Sequence, residues 1–319
     1  MQTYPEGVVL EDRPCPNGCP PEDRLVLEGK DRIHGIEGIF TVIQCVHCHL
    51  MRTNPRPTPA TIGAYYPDDY GPYQTPVVEA VVPTRFKLFL RRLLGLDSRL
   101  TPPIPPGHLL EIGCANGAYM EQMRQSGWSA EGIEFSEAAA EAARARHFDV
   151  QTASVETAQQ PNAQADIVAA WMVLEHLHEP VSALRKIRRW VKPNGYLIAS
   201  VPDNDSKVGG LFGAYRYDLH LPNHLYHYSP KTMKKVLNTA GWRVERILWQ
   251  RNSNNLLWSI EYWAADNLNI RWLPVIRWLR SAQAASKIRV ALGWLLGVTR
   301  QSGRMEVWAR PADESKAIS

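Results

Sequence analysis

The sequence predicts an α/β fold: a parallel, doubly wound sheet with helices on both faces, built from strands and helices that alternate up to about residue 250. Three observations predict it. The run His108-Leu109-Leu110-Glu111-Ile112-Gly113-Cys114-Ala115-Asn116-Gly117 is an apolar strand with an acid near its end that turns through two glycines into a helical pattern at Ala118–Met123. A strand, a glycine turn and a helix N-terminus form a place where backbone N–H groups approach a nucleotide-like ligand. The next strand, Ser129–Ser136, carries Glu134, 17 residues past Gly117, near the spacing at which an acid meets ribose hydroxyls. A carboxylate accepts two hydrogen bonds and so suits a vicinal diol. Strand and helix signals then alternate through Asp149, Ala165–Trp171 and Lys192–Pro202, the pattern of a parallel sheet. Taken singly, the glycine loop also fits a structural turn, and Glu134 a solvated strand end.

In chain order, residues 1–53 read as a small zinc ribbon. Cys15 and Cys19 form one pair, and Cys45 and Cys48 form a second about 25 residues on. Two such knuckles can bring four thiolates around zinc in a closed tetrahedron with no open position for chemistry. His34, His47 and His49 are substitute ligands. Four free thiols, or disulfides in an oxidising compartment, are the alternatives. Residues 54–106 are a connector and a helix. The stretch to residue 83 is rich in proline and tyrosine, and irregular because proline removes donors and restricts its neighbour. In Thr84–Leu100, Phe86, Leu90, Leu93 and Leu94 share one helix face. Thr101–Pro106 is a stiff break. The main domain is expected over 107–310, with helices at Glu137–Arg146, Val181–Trp190 and Pro230–Ala240, the last ended by Gly241. Trp242–Gln250 and Arg304–Ala309 read as its last two strands, and 311–319 as a tail.

About fifty residues separate those last strands, forming a helical insertion over about 253–302. Asn255–Asn267 is apolar and aromatic. From Asn267 to Met305 there is no acid, yet Arg271, Arg277, Arg280, Lys287, Arg289, Arg300 and Arg304 are interleaved with Trp272, Trp278 and Trp294. Tryptophan beside arginine on an apolar helix suits a membrane–water interface with anionic head groups. A helical cap or a dimer interface packed on the sheet edge is the competing reading.

From Leu109 to about Arg310 the order of these segments resembles a class I S-adenosylmethionine-dependent methyltransferase. The acidic glycine loop is similar to that family's first motif, and Glu134 to its ribose-binding acid. Val173-Leu174-Glu175-His176 is similar to the segment after the fourth strand, and Lys192-Pro193-Asn194-Gly195 to the turn before the fifth. His220–Pro230 resembles a Pro-His-Leu-x-x-[Phe/Tyr]-Ser segment of a bacterial branch that acts in secondary metabolism and surface-glycan pathways and carries an N-terminal zinc ribbon. The resemblance implies a Rossmann-like, seven-stranded methyltransferase sheet with S-adenosylmethionine as cofactor. One departure is Ala115, where the family has its middle glycine; the methyl group narrows the backbone approach. Ubiquinone-pathway O-methyltransferases resemble this region through a Glu-x-x-Glu-His metal motif whose first position is Met172 here, so no catalytic magnesium is expected. The [Asp/Asn]-Pro-Pro-[Phe/Tyr] signature of nucleic-base amino-methyltransferases is absent; Trp171-Met172-Val173-Leu174 stands in its place.

The resemblance implies a cofactor site residue by residue. The methionine part lies over Gly113, Cys114, Ala115 and Gly117, with Glu111 facing its ammonium. Glu134 holds the ribose, Phe135, Ser154 and Val155 border the adenine, and the backbone of Ala170 and Trp171 passes beneath the sulfonium. Methyl transfer is an in-line displacement that depends chiefly on alignment, and a hydroxyl acceptor also benefits from a base. His176 and His224 are the candidate bases; His176 reads equally as a helix residue packed beside Glu175. Tyr215, Arg216, Asp218, His220 and Tyr226 are candidate acceptor contacts.

Composition sets the outer limits. At 319 residues, 45% apolar and 21% charged, the chain is an ordinary globular protein with a sizeable core. A net charge of +4 is too weak to imply nucleic acid by itself. The first residues lack a basic region followed by an apolar run, so no secretory signal is expected, and no uncharged apolar stretch reaches the ~18 residues of a membrane span. The leading expectation is methyl transfer from S-adenosylmethionine to a small-molecule, sugar or lipid-linked glycan acceptor, in the cytoplasm or at the inner face of the membrane. An RNA methyltransferase using the ribbon and basic insertion as platform, or a non-catalytic cofactor-binding scaffold, are the alternatives.

Overall fold

A computed structural model describes residues 3–67, 102, 104–268 and 270–312. The expected helix Thr84–Leu100, the connector beyond residue 67 and the tail from 313 lie outside the described residues. The N-terminal part contributes strands β1 (Leu10–Glu11), β2 (Asp23–Lys30), β3 (Ile39–Cys45), β4 (Met51–Thr53) and β5 (Arg56–Pro57). The main part alternates β6 (His108–Ile112), helix α1 (Ala118–Gln125), β7 (Ser129–Glu134), α2 (Glu137–Arg144), β8 (Asp149–Thr152), β9 (Ala165–Trp171), α3 (Pro180–Trp190) and β10 (Val191–Pro202). After β11 (Tyr226–His227) come α4 (Pro230–Thr239), β12 (Trp242–Trp249), helices α5 (Asn254–Asn267), α6 (Leu273–Ser281) and α7 (Ser286–Val298), and β13 (Arg304–Pro311).

Seven strands form one sheet in the order β12-β13-β10-β9-β6-β7-β8. Strands β6 to β10 run parallel, with Leu110 opposite Val168 and Ile112 opposite both Ala170 and Ile133. Only β13 runs antiparallel to its neighbours. This is the seven-stranded, helix-covered sheet that the motif order predicts. Its central strands are predominantly apolar because both faces are covered, and Leu109, Ile167, Val168 and Ala169 are fully buried. Local signals set the helix boundaries. Ser136 caps α2 through its hydroxyl, Pro180 opens α3, and Ser229 with Thr232 closes a capping box on α4. Lys192–Gly195 loops out between two registers of β10 rather than forming a separate turn.

The N-terminal part is joined to this sheet by more than a connector. Strands β2, β3 and β4 form an antiparallel meander, and β11, from the middle of the chain, adds to its edge with Tyr226 opposite Arg52 and His227 opposite Met51. Phe40, Val42, Leu50 and Tyr65 share one apolar cluster with Leu174, Leu225 and Met233. Two buried guanidinium groups brace the N-terminal part, and one of them, Arg56, also reaches across the junction. Arg52 grips Asp23 at 2.8 and 2.6 Å, and Arg56 pairs with Glu11 at 2.9 Å while donating to the His178 carbonyl.

Candidate functional site

The glycine loop leaves β6 through three left-handed residues, Gly113 (φ 68°), Ala115 (φ 47°) and Gly117 (φ 76°). A Cβ at Gly113 would meet Val173 Cγ2 at 2.7 Å, so the segment after β9 lies directly on this loop. Ala115 therefore carries a torsional cost, since its conformation favours glycine, in addition to the steric one expected from sequence. Glu134, buried at the end of β7, braces the loop: Oε2 accepts from the Ala115 N–H and Oε1 from the Ser136 N–H, both at 2.8 Å. Burial raises its pKa despite these donors. Each oxygen retains acceptor capacity for a further donor.

The other expected cofactor residues divide by where their side chains point. Glu111 is buried at the loop's root, and Phe135 is 61% exposed at its mouth. Cys114 turns inward, where a Cβ on Gly132 would meet its sulfur at 2.6 Å, so only its backbone faces the loop. Ser154 caps its own turn, with Oγ accepting from the Thr157 N–H at 3.3 Å, and Val155 is buried in the core. Ala170 is fully buried in β9, and the Trp171 indole packs edge-on against Tyr119 at 5.1 Å.

Directly after Val173, a short turn over Leu174–His176 delivers a carboxyl and an imidazole into a buried cluster. Glu175, His176 and His224 place donor atoms within 4.8 Å of one another. The rings of His176 and His220 both stand edge-on to His224 at 4.8 Å. Tyr66, from the N-terminal part, brings its hydroxyl within 2.8 Å of His176 Nδ1, and the Asn223 carbonyl lies 2.9 Å from the same atom. A carbonyl can only accept, which assigns the Nδ1–H tautomer and leaves Nε2 with its lone pair. His224 Nδ1 likewise faces the Asp218 carbonyl at 2.8 Å.

Burial controls the charge of this cluster. It holds His176 and His220 well below the usual histidine range and pushes His224 down to about 3. It pushes Glu175 up to about 8. Among the described residues no hydrogen bond reaches either Glu175 oxygen, and His224 Nε2 stands 3.9 Å away. At neutral pH the imidazoles are uncharged, and the proton resides chiefly on the carboxyl.

Several of the expected acceptor contacts also have partners within the protein. Arg216 and Asp218 are buried against each other, 3.0 and 2.5 Å apart. The Tyr226 hydroxyl bonds Arg56 and the His178 carbonyl. Tyr215 lies beneath the Arg32 guanidinium at 4.0 Å, and His220, with φ 38°, joins the histidine cluster. Sequence reasoning missed Tyr66 and Asn223, which lie 110 and 47 residues from His176; no local pattern marks such long-range partners.

The four N-terminal cysteines converge, with sulfurs mutually within 4.8 Å. Each pair sits on a turn: Gly18 N–H donates to the Cys15 carbonyl at 3.0 Å and His49 N–H to that of Cys45 at 2.9 Å. Cys15 and Cys48 stand 3.4 Å apart, too far for a disulfide. His47 pairs with Glu22 and His34 packs on His220, outside this group; His49 also stands apart from it.

Comparisons with known proteins find methyltransferases. A ubiquinone biosynthesis O-methyltransferase of Acinetobacter baylyi is 27% identical over 179 residues, covering 52% of this chain and 74% of that protein. One from Pseudomonas aeruginosa is 32% identical over 107 residues, covering 31% and 46%. Among solved structures, an S-adenosylmethionine-dependent methyltransferase from Mesorhizobium loti is 14% identical and aligns over 69% of this chain and 95% of that one, with a TM-score of 0.45. A family model described as a methyltransferase domain matches residues 84–247. The chain belongs to that family and is a class I S-adenosylmethionine-dependent methyltransferase.

Proposed function

We propose that this methyltransferase carries the methyl group of S-adenosylmethionine to a hydroxyl of a small-molecule acceptor, with His176 Nε2 as the base. The observation that carries the reading is the neutral histidine cluster set against the glycine loop through Val173. An uncharged imidazole is available to take a proton at any pH near neutrality. Burial makes it a weak base, but Glu175 can ionise as the cluster gains charge and so offset the imidazolium. His224 is the less accessible of the two, being buried with its Nε2 turned toward Glu175. The glycine loop, Glu111 and Glu134 bind and orient the cofactor, and the donor itself supplies the activated methyl group. The names of the relatives favour an oxygen acceptor. A sugar or lipid-linked glycan is the finer form of this reading.

We further propose that Cys15, Cys19, Cys45 and Cys48 hold a structural zinc ion. Four thiolates complete a tetrahedron and leave no position for chemistry. The same unpaired thiols fit a reducing compartment, and so the cytoplasm.

Calorimetric titration with S-adenosylmethionine and S-adenosylhomocysteine, repeated on Glu134→Ala, tests the cofactor assignment. Micromolar binding that the substitution weakens about 100-fold supports it. No binding to the folded, zinc-loaded protein would leave the non-catalytic scaffold. Release of S-adenosylhomocysteine on adding phenolic or sugar hydroxyl acceptors, lost in His176→Asn, tests the base.

A further inference from the structure

We propose that the outer faces of α6 and α7 form a docking surface for an anionic phospholipid bilayer. More than half of the large apolar side chains that are exposed among the described residues lie between Trp263 and Val298. Trp272, at the N-cap of α6, is 60% exposed, and Trp278 on α6 is 47% exposed. On α7, Ile288 is 50% and Leu295 53% exposed, and with Ala291 and Val298 they follow the three- and four-residue spacing of a single helix face. An amphipathic helix in a globular protein turns this stripe inward; here it points outward.

The inner side of the insertion is already settled. Glu261 on α5 pairs with Arg277 at 2.9 Å and Arg280 at 2.5 Å, which fixes α6. A Cβ at Gly293 would meet the Arg251 carbonyl at 3.0 Å, and one at Gly297 would meet Arg251 Cγ at 2.8 Å, so α7 rests its backbone on the loop after β12. Along α6 and α7 only Leu273, Gly293 and Leu296 are buried. Among the described residues the insertion therefore caps the domain with one side and leaves the other without a partner.

Charge selects the occupant. No acid occurs from Asn267 to Met305, against seven basic residues. Arg277 and Arg280 face Glu261 and Arg304 lies in β13, which leaves Arg271, Lys287, Arg289 and Arg300 as the basic groups of the insertion's remaining surface. A second copy of the chain would oppose one basic face to another. RNA would match the charge but leave the tryptophans and aliphatic groups with no apolar partner. An anionic bilayer matches both, with indoles at the head-group boundary and basic side chains on the phosphates. Among the described residues no helix is long and apolar enough to cross a membrane, so α6 and α7 lie in the plane of the interface.

The test is flotation of the full-length, zinc-loaded protein with phosphatidylcholine vesicles, with and without one-quarter phosphatidylglycerol, at 50 and 500 mM salt. The expected result is co-flotation with the anionic vesicles at low salt, at least tenfold weaker in 500 mM salt or on pure phosphatidylcholine. The double variant Ile288→Glu/Leu295→Glu should lose at least tenfold in vesicle binding while keeping S-adenosylhomocysteine affinity. Absence of flotation with anionic vesicles at low salt overturns the proposal. So does flotation that the double variant leaves intact. A dimer in light scattering that this variant dissociates, or RNA binding that it abolishes, would assign the face to another occupant and overturn it equally.

Discussion

Glu175 Oε1 stands 3.9 Å from His224 Nε2, and burial inverts the order in which the two groups hold a proton: the carboxyl is pushed up to about 8 and the imidazole down to about 3. In water the imidazole is the stronger base. Here no hydrogen bond among the described residues compensates the carboxylate, so ionising Glu175 costs more than protonating it.

This inversion sets a pH dependence of stability. The folded state keeps the Glu175 proton between 4.5 and about 8 while the unfolded state releases it, so stability declines as pH rises through that range. His224 acts in the opposite sense: the unfolded chain binds a proton below 6.5 that the folded state refuses down to about 3, so stability declines as pH falls. His176, His220 and His227, also depressed by burial, act in the same sense as His224. Below 6.5 the histidines therefore outweigh Glu175 and stability falls as pH falls, while Glu175 dominates from 6.5 to 8. Urea unfolding should show wild-type stability falling over that upper window by at most about 1.4 kcal/mol per pH unit. Glu175→Gln should flatten it; an unchanged slope would show that Glu175 titrates normally.

Tyr66 reaches His176 from the N-terminal part of the chain, 2.8 Å from Nδ1. Tyr66→Phe should reduce kcat on the order of 10-fold, the scale on which partners orienting a functional histidine act. S-adenosylhomocysteine affinity should stay within about twofold. His176→Asn should reduce kcat by roughly 10² to 10⁴. Equal losses of kcat and cofactor affinity in both variants would make Tyr66 merely structural.

Metal removal should propagate across the same junction. The cysteines close the ends of β2 and β3, β3 pairs with β4, and β4 pairs with β11 beside His224. Elemental analysis should find one zinc per chain. Cys45→Ser should lose that zinc, lower the thermal midpoint, and reduce kcat on the order of 10-fold with little change in cofactor affinity. Full activity in metal-free protein would separate the ribbon from the site.

Ala115 supplies a gain-of-stability test. Its φ of 47° costs an alanine about 1 kcal/mol or more, while glycine adds part of that back as unfolded-state entropy. Ala115→Gly should stabilise the protein by about 0.5–1 kcal/mol in urea unfolding, with cofactor affinity equal or better.

The sheet, the glycine loop and the convergent cysteines were legible because short, contiguous patterns encode them. Gly113 and Gly117 mark the turn, Glu134 ends the following strand, and Cys15/Cys19 and Cys45/Cys48 form two closely spaced pairs. The composition of the insertion was legible too, but not which face it exposes; that depends on Arg251 and Glu261, which only tertiary packing brings beneath it. The acceptor side was the least legible. Arg216, Asp218 and Tyr226 have the residue types of a pocket, yet they satisfy one another or Arg56 inside the scaffold. Tyr66 and Asn223 gain their roles from contacts that no local window contains.

The position of β13 has a consequence for the birth of the chain. It fills the gap between β10 and β12, although it follows every other strand of the sheet in sequence. During synthesis β10 and β12 emerge first, and each presents an unpaired edge while α5, α6 and α7 are still being added. Those edges are templates for mispairing, and the sheet closes only when Arg304–Pro311 has left the ribosome. Translation that stalls within the insertion would release a chain with two open edges and an apolar helical face, a candidate for chaperone capture rather than a shortened enzyme.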